Sequence, residues 1–126
     1  MKTKFVMTYI TAKDTKQALA IARALVTERL AACANILGPI RSIYHWGGQL
    51  NDDTEVALIA KTRAALLPKL IARVKQLHTY DCPCIVALPI ETGNPDFLDW
   101  LAAQTAPPAR KSNRRRNPRL AKKKQS

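Results

Sequence analysis

The stretch Ile40-Arg-Ser-Ile-Tyr44-His45-Trp46-Gly47-Gly48-Gln-Leu50-Asn-Asp52-Asp53-Thr-Glu55-Val-Ala-Leu-Ile-Ala-Lys61 reads as two extended segments hinged on a glycine pair. Gly47-Gly48 can take the positive φ values of a two-residue turn, and the flanks are rich in β-branched and aromatic residues, so a β-hairpin is predicted. Its second arm, Leu50 to Lys61, has 12 residues and extends roughly 40 Å at ~3.4 Å each. A compact body made from residues 1–105 spans only about 33 Å. The hairpin is therefore expected to overhang its own protomer. Exposed rings at Tyr44 and Trp46 and unpaired ribbon edges are best covered by another subunit, which predicts a homo-oligomer.

Working outward, Phe5 to Ile10 is short, β-branched and aromatic, hence a strand. Asp14 offers a helix N-cap with Gln17 three residues on, and Ala18, Ile21, Ala22, Leu25, Val26 and Leu30 recur at helical spacing. This helix is expected to run on to Cys33, until Ile36-Leu-Gly38-Pro39 breaks it. Leu67, Leu70, Ile71, Val74 and Leu77 predict a second helix ending near His78, with Pro68 in its first turn. Cys84 to Leu88 is an apolar strand, and Gly93-Asn94-Pro95-Asp96 starts a short last helix carrying Phe97, Leu98, Trp100 and Leu101. The order is βαββαβα. It predicts an α+β, ferredoxin-like βαββαβ domain over residues 1–105, with a long β-hairpin, a short C-terminal helix and two helices on one face of a four-stranded antiparallel sheet.

Charge divides the chain sharply. The net charge of +12 splits into +3 for residues 1–105 and +9 for residues 106–126, where nine Lys and Arg meet no Asp or Glu. Leu120 is the one large apolar side chain of that tail, so burial cannot offset its ordering entropy and a disordered basic tail is predicted. Without aromatics, it suits non-specific, salt-sensitive phosphate contacts with nucleic acid, or simply solubility. No apolar run approaches the ~20 residues that span a bilayer, so no membrane partner is expected. Three cysteines, with no apolar leader ahead of Phe5, predict free thiols in a reducing cytoplasm.

Chemistry concentrates in His78-Thr-Tyr-Asp81-Cys82-Pro-Cys84. An imidazole at a helix C-terminus can cap the last carbonyls, or it can give a borderline nitrogen to Cu(II) or Zn(II), with Asp81 or Cys82 beside it. Cys82 and Cys84 could bind a soft cation, but Pro83 and the apolar run after it favour reading them as two small buried hydrophobes. A disulfide between them is not expected, since two residues of extended chain put their Cα atoms about 6.5–7 Å apart. Cys33 is read as a core residue first and a ligand second. His45 and the cluster Asp52-Asp53-x-Glu55 are read as solvated hairpin polarity. No phosphate loop, nucleophile elbow or His-Glu-x-x-His helix occurs, so no catalytic machinery is predicted.

Three motifs in order, Thr27-Glu-Arg-Leu-Ala-Ala-Cys33-Ala-Asn35, Ser42-Ile-Tyr44-His-Trp46-x-Gly48 and the segment from His78 to Ile90, resemble the CutA family of divalent-cation tolerance proteins over residues 4–104. The resemblance implies a homotrimer held by intersubunit strand pairing. It also implies a non-enzymatic role in tolerance of divalent metal ions, copper foremost, with His78, Cys82, Asp81 and Cys33 as candidate metal ligands. Relatives usually carry an acidic residue at position 84, so Cys84 softens this site. Ferredoxin-like trimers are also similar to nitrogen-regulatory (PII-like) signalling proteins, which implies a small molecule in an intersubunit cleft as the alternative.

Overall fold

The computed structural model describes residues 3–107. Seven regular elements and one short 3-10 turn follow one another: β1 (Phe5–Ala12), α1 (Thr15–Thr27), β2 (Cys33–Trp46), β3 (Gln49–Arg63), the turn Ala64–Leu66, α2 (Leu67–Leu77), β4 (Ile85–Ile90) and α3 (Pro95–Gln104). One antiparallel sheet has the order β2-β3-β1-β4. This is the expected α+β arrangement. Nearly all of the expected tail lies outside the described residues. Among the described residues, no helix is long and apolar enough to cross a membrane.

Period-two alternation along the strands builds the core. Ile10 and Ala12 of β1, with Val56, Leu58 and Ala60 of β3, face Ala18, Ile21, Ala22 and Leu25 of α1 and Leu70 and Val74 of α2. At the start of α1, the Asp14 carboxylate accepts the Gln17 amide at 2.8 Å, and the Gln17 side-chain oxygen accepts the Lys13 amide at 2.8 Å. That is a reciprocal cap displaced by one residue from the usual box.

The end of α1 corrects one expectation. The helix stops at Thr27, not at Cys33, because Arg29 adopts a left-handed conformation (φ 63°) and the Leu30 amide reaches back to the Leu25 carbonyl at 2.9 Å. That bond pattern is the usual glycine-type helix stop. Here an arginine fills it, its guanidinium held by the Gln104 carbonyl and side chain at 3.2 and 2.8 Å. Cys33 therefore opens β2, opposite Lys61.

The hairpin forms as expected, with both turn glycines at positive φ (63° and 75°) and Trp46 paired with Gln49. β1 pairs with β3 only from Val56 to Arg63, so residues 49–55 of β3 pair with β2 alone. The ribbon thus projects roughly 24 Å beyond the sheet at ~3.4 Å per residue. A β-bulge lies at its root: Ile36 opposes Leu58 and Gly38 opposes Ala57, leaving Leu37 unpaired. One extra residue moves every later side chain of β2 to the other face. Tyr44 and Trp46 thereby share the helix-free face with Glu55.

Towards β4, that helix-free face is apolar. Tyr9 pairs with Val86 and Ile59, and Met7 with Leu88, while Val86 and Leu88 remain 55% and 56% exposed.

Candidate functional site

A cavity of about 320 Å³ opens where the ribbon leaves the sheet. Tyr44 and Trp46 of β2 and Glu55 of β3 line one side, Thr11 comes from the end of β1, and Tyr80, Asp81, Cys82 and Cys84 come from the segment joining α2 to β4. Each element brings its group here by register. Thr11 opposes Ala57, next to the Val56 position where β1 ends, and the Thr11 amide donates to the Cys84 carbonyl at 3.4 Å.

His78 fixes the segment that follows it. As the C-cap of α2, its amide donates to the Val74 carbonyl at 2.9 Å, but its ring turns away from the helix end and is buried. Nε2 lies 2.8 Å from the Thr11 carbonyl oxygen, and Nδ1 lies 3.2 Å from the Tyr80 amide nitrogen. A carbonyl only accepts and an amide only donates, so Nε2 carries the proton and Nδ1 accepts. Both nitrogens are thus committed to the backbone. The ring also packs on Tyr80, with centroids 4.5 Å apart, and Gln17 donates to the Thr79 hydroxyl at 3.0 Å. The segment is thus tied to both β1 and α1.

Cys82 and Cys84 are exposed free thiols, which corrects the expectation of small buried hydrophobes: they precede β4, which starts at Ile85 and leaves Val86 and Leu88 exposed as well. Partial burial, and then the charge of Glu55, raise the Cys84 pKa above its ordinary value, while a hydrogen bond with Thr11 works in the opposite direction. Asp81 and Cys82 thus meet at the cavity, with His78 in the same short segment. Cys33 does not join them. It sits level with Lys61 on the far side of β3, its sulfur 3.9 Å from the Lys61 ammonium. Four residues along β3 separate that level from Thr11, about 13 Å, and Cys33 lies three strands away from β4. Among the described residues, no three of the His, Cys, Asp and Glu side chains form a metal-holding group.

Several cavity residues escaped the sequence reading. Glu55, taken as part of a solvated hairpin tip, is only 8% exposed, and its carboxylate accepts the Tyr80 hydroxyl at 2.8 Å. Burial, and then this bond, raise the Tyr80 pKa well above its ordinary value. Tyr44 gives its hydroxyl to Asp53, which raises its pKa as well. The available signal was position: Glu55 directly precedes the apolar run Val56 to Ala60. Asp52 and Asp53 are exposed as expected, Asp52 pairing with Arg41 at 2.7 Å on the ribbon surface.

Comparison with known proteins gives a consistent result. Residues 6–104 match the family described as CutA1 divalent ion tolerance protein. The divalent-cation tolerance protein CutA of Thermus thermophilus is 51% identical over 96 residues, 76% of this chain and 93% of that protein. Human protein CutA is 41% identical over 97 residues, and the match spans 54% of its length. Among solved structures, the Thermus thermophilus divalent cation tolerance protein aligns with a TM-score of 0.79 at 48% identity, covering 81% of this chain and 99% of the other. The structure described as the periplasmic divalent cation tolerance protein CutA from Archaeoglobus fulgidus aligns with a TM-score of 0.79 at 41% identity, over 81% and 99% of the two chains. With its three motifs in order, the bulged overhanging hairpin and the matched span running almost from end to end of the described residues, the chain belongs to the CutA1 divalent ion tolerance family.

Proposed function

We propose that this protein is a non-enzymatic, homotrimeric, cytoplasmic divalent-cation tolerance protein that binds copper or a similar metal ion at the cavity rim. The observation that carries the metal reading is the pair of exposed free thiols, Cys82 and Cys84, beside Asp81 at one cavity. Thiolate with carboxylate suits borderline and soft cations such as copper and zinc better than magnesium or calcium. Cys82 and Asp81 act as first donors and Cys84 as the next. Four ligands are usual for zinc, so the remaining positions fall to water, to groups of a second subunit, or to His78. For His78 to contribute Nδ1, the Tyr80 amide must first let go; until then the ring positions the donor segment. Because the Cys84 pKa is raised, metal uptake there releases a proton and strengthens as pH rises.

The trimer reading is supported by the projecting ribbon and by the exposed apolar face of β4, which an isolated protomer leaves in water. Free thiols support the cytoplasmic assignment. The test is to titrate Zn(II), which does not oxidise thiols, into the full chain with a competing chelator, alongside Cys82→Ser and Asp81→Asn. Saturable binding that weakens in both variants supports the site. Binding that is absent, or unchanged by both substitutions, overturns it.

A further inference from the structure

The cavity has a second kind of wall that the metal reading does not use. Away from the thiols it presents the Glu55 carboxylate and the rings of Tyr44, Trp46 and Tyr80. Glu55 is more than nine-tenths buried, with the Tyr80 hydroxyl as a hydrogen-bond partner, and among the described residues no Lys, Arg or His forms an ion pair with it. A carboxylate removed from water to that extent calls for a cation.

The rings specify which kind of cation. Tyr44 and Tyr80 both donate their hydroxyls to carboxylates, Asp53 and Glu55. Each ring is thereby held in place, and a phenol donating to an anion is richer in π density than a free one. Electron-rich faces attract weakly hydrated cations that bring apolar surface with them. Hydrated magnesium or calcium asks instead for six or more oxygen ligands. A volume of about 320 Å³ lies at the small end of ligand pockets, enough for an ion of a few carbon atoms. The Leu37 bulge belongs to the same design, since without it Tyr44 and Trp46 would lie on the sheet face opposite to Glu55.

We propose that this cavity is a binding site for a small organic ammonium ion, with Glu55 as its counter-charge and Tyr44, Trp46 and Tyr80 as its aromatic wall. The site stands independently of the metal reading, because its determinants are a carboxylate and rings and not thiols. Tetramethylammonium chloride is the probe, titrated calorimetrically into the full chain with sodium chloride at matched ionic strength as the blank. Saturable binding is expected, weakened about tenfold or more by Glu55→Gln and by Trp46→Leu. No saturable heat, or equal affinity in the wild type and Trp46→Leu, overturns the proposal. Trp46 is 59% exposed in the single chain and is also read as covered by another subunit, so Trp46→Leu is compared with the wild type by light scattering, and binding lost with the assembly mass retained is the expected result. A structure of the assembled protein showing a lysine or arginine of a second copy ion-paired to Glu55 would overturn it too.

Discussion

Replacing His78 with alanine tests whether the buried imidazole is the clasp that organises the cavity. The substitution removes the Nε2–H that satisfies the Thr11 carbonyl at 2.8 Å and the Nδ1 that accepts the Tyr80 amide at 3.2 Å. An orphaned buried carbonyl costs roughly 1–3 kcal/mol and a lost hydrogen bond to a half-exposed amide under about 1 kcal/mol. The tilted ring contact with Tyr80 adds about 0.5–1.5 kcal/mol. These effects share partners and do not add fully, so the expected loss is about 3 kcal/mol. Guanidinium chloride unfolding at one fixed protein concentration measures it, because the stability of an oligomer depends on concentration. The segment from Thr79 to Cys84 is also expected to lose protection from amide exchange, while the α1 core keeps its own. A loss below about 1 kcal/mol with an unchanged denaturant slope would refute the clasp and free His78 for a direct ligand role.

Other consequences are accessible to simpler assays. Leu88→Lys, on the apolar face of β4, is expected to shift the protein from a species of about 42 kDa, three chains of 14.0 kDa, towards single chains in light scattering; an unchanged mass would remove that face from the interface. For Cys84, the raised pKa predicts that thiolate alkylation lags behind a free cysteine peptide at pH 8 and climbs through a midpoint above the ordinary value. Glu55→Gln should bring that midpoint down, and a profile identical to the peptide's counts against the burial and charge effects. Removing residues 108–126 is expected to abolish retention on heparin at low salt, whereas retention by the shortened chain would locate the basic surface in the folded part.

Local chemistry made much of the fold legible. The glycine pair at 47 and 48, the Asp14 and Gln17 cap, and Pro68 in the first turn of α2 each encode their structure within a few residues. What escaped depends on tertiary partners. Arg29 stops α1 in a conformation normally signalled by glycine, and Gln104, 75 residues away, holds its side chain there. Leu37 looks like any strand residue, yet as the bulge it decides which face Tyr44 and Trp46 occupy. Glu55 reads as a surface carboxylate because its hydrogen-bond partner, Tyr80, lies 25 residues on. His78, Asp81 and Cys82 were visible as a cluster in sequence. The commitment of both imidazole nitrogens was not, since Thr11 lies 67 residues from His78.

The most direct test of metal binding at the cavity rim is a competitive Zn(II) titration of the full chain and of Cys82→Ser, at fixed pH with thiols kept reduced. One saturable site per chain or per trimer, weakened about tenfold or more by the substitution, is the predicted result. Zinc affinity that is negligible, or identical in the two proteins, would contradict a metal site at Cys82 and Asp81.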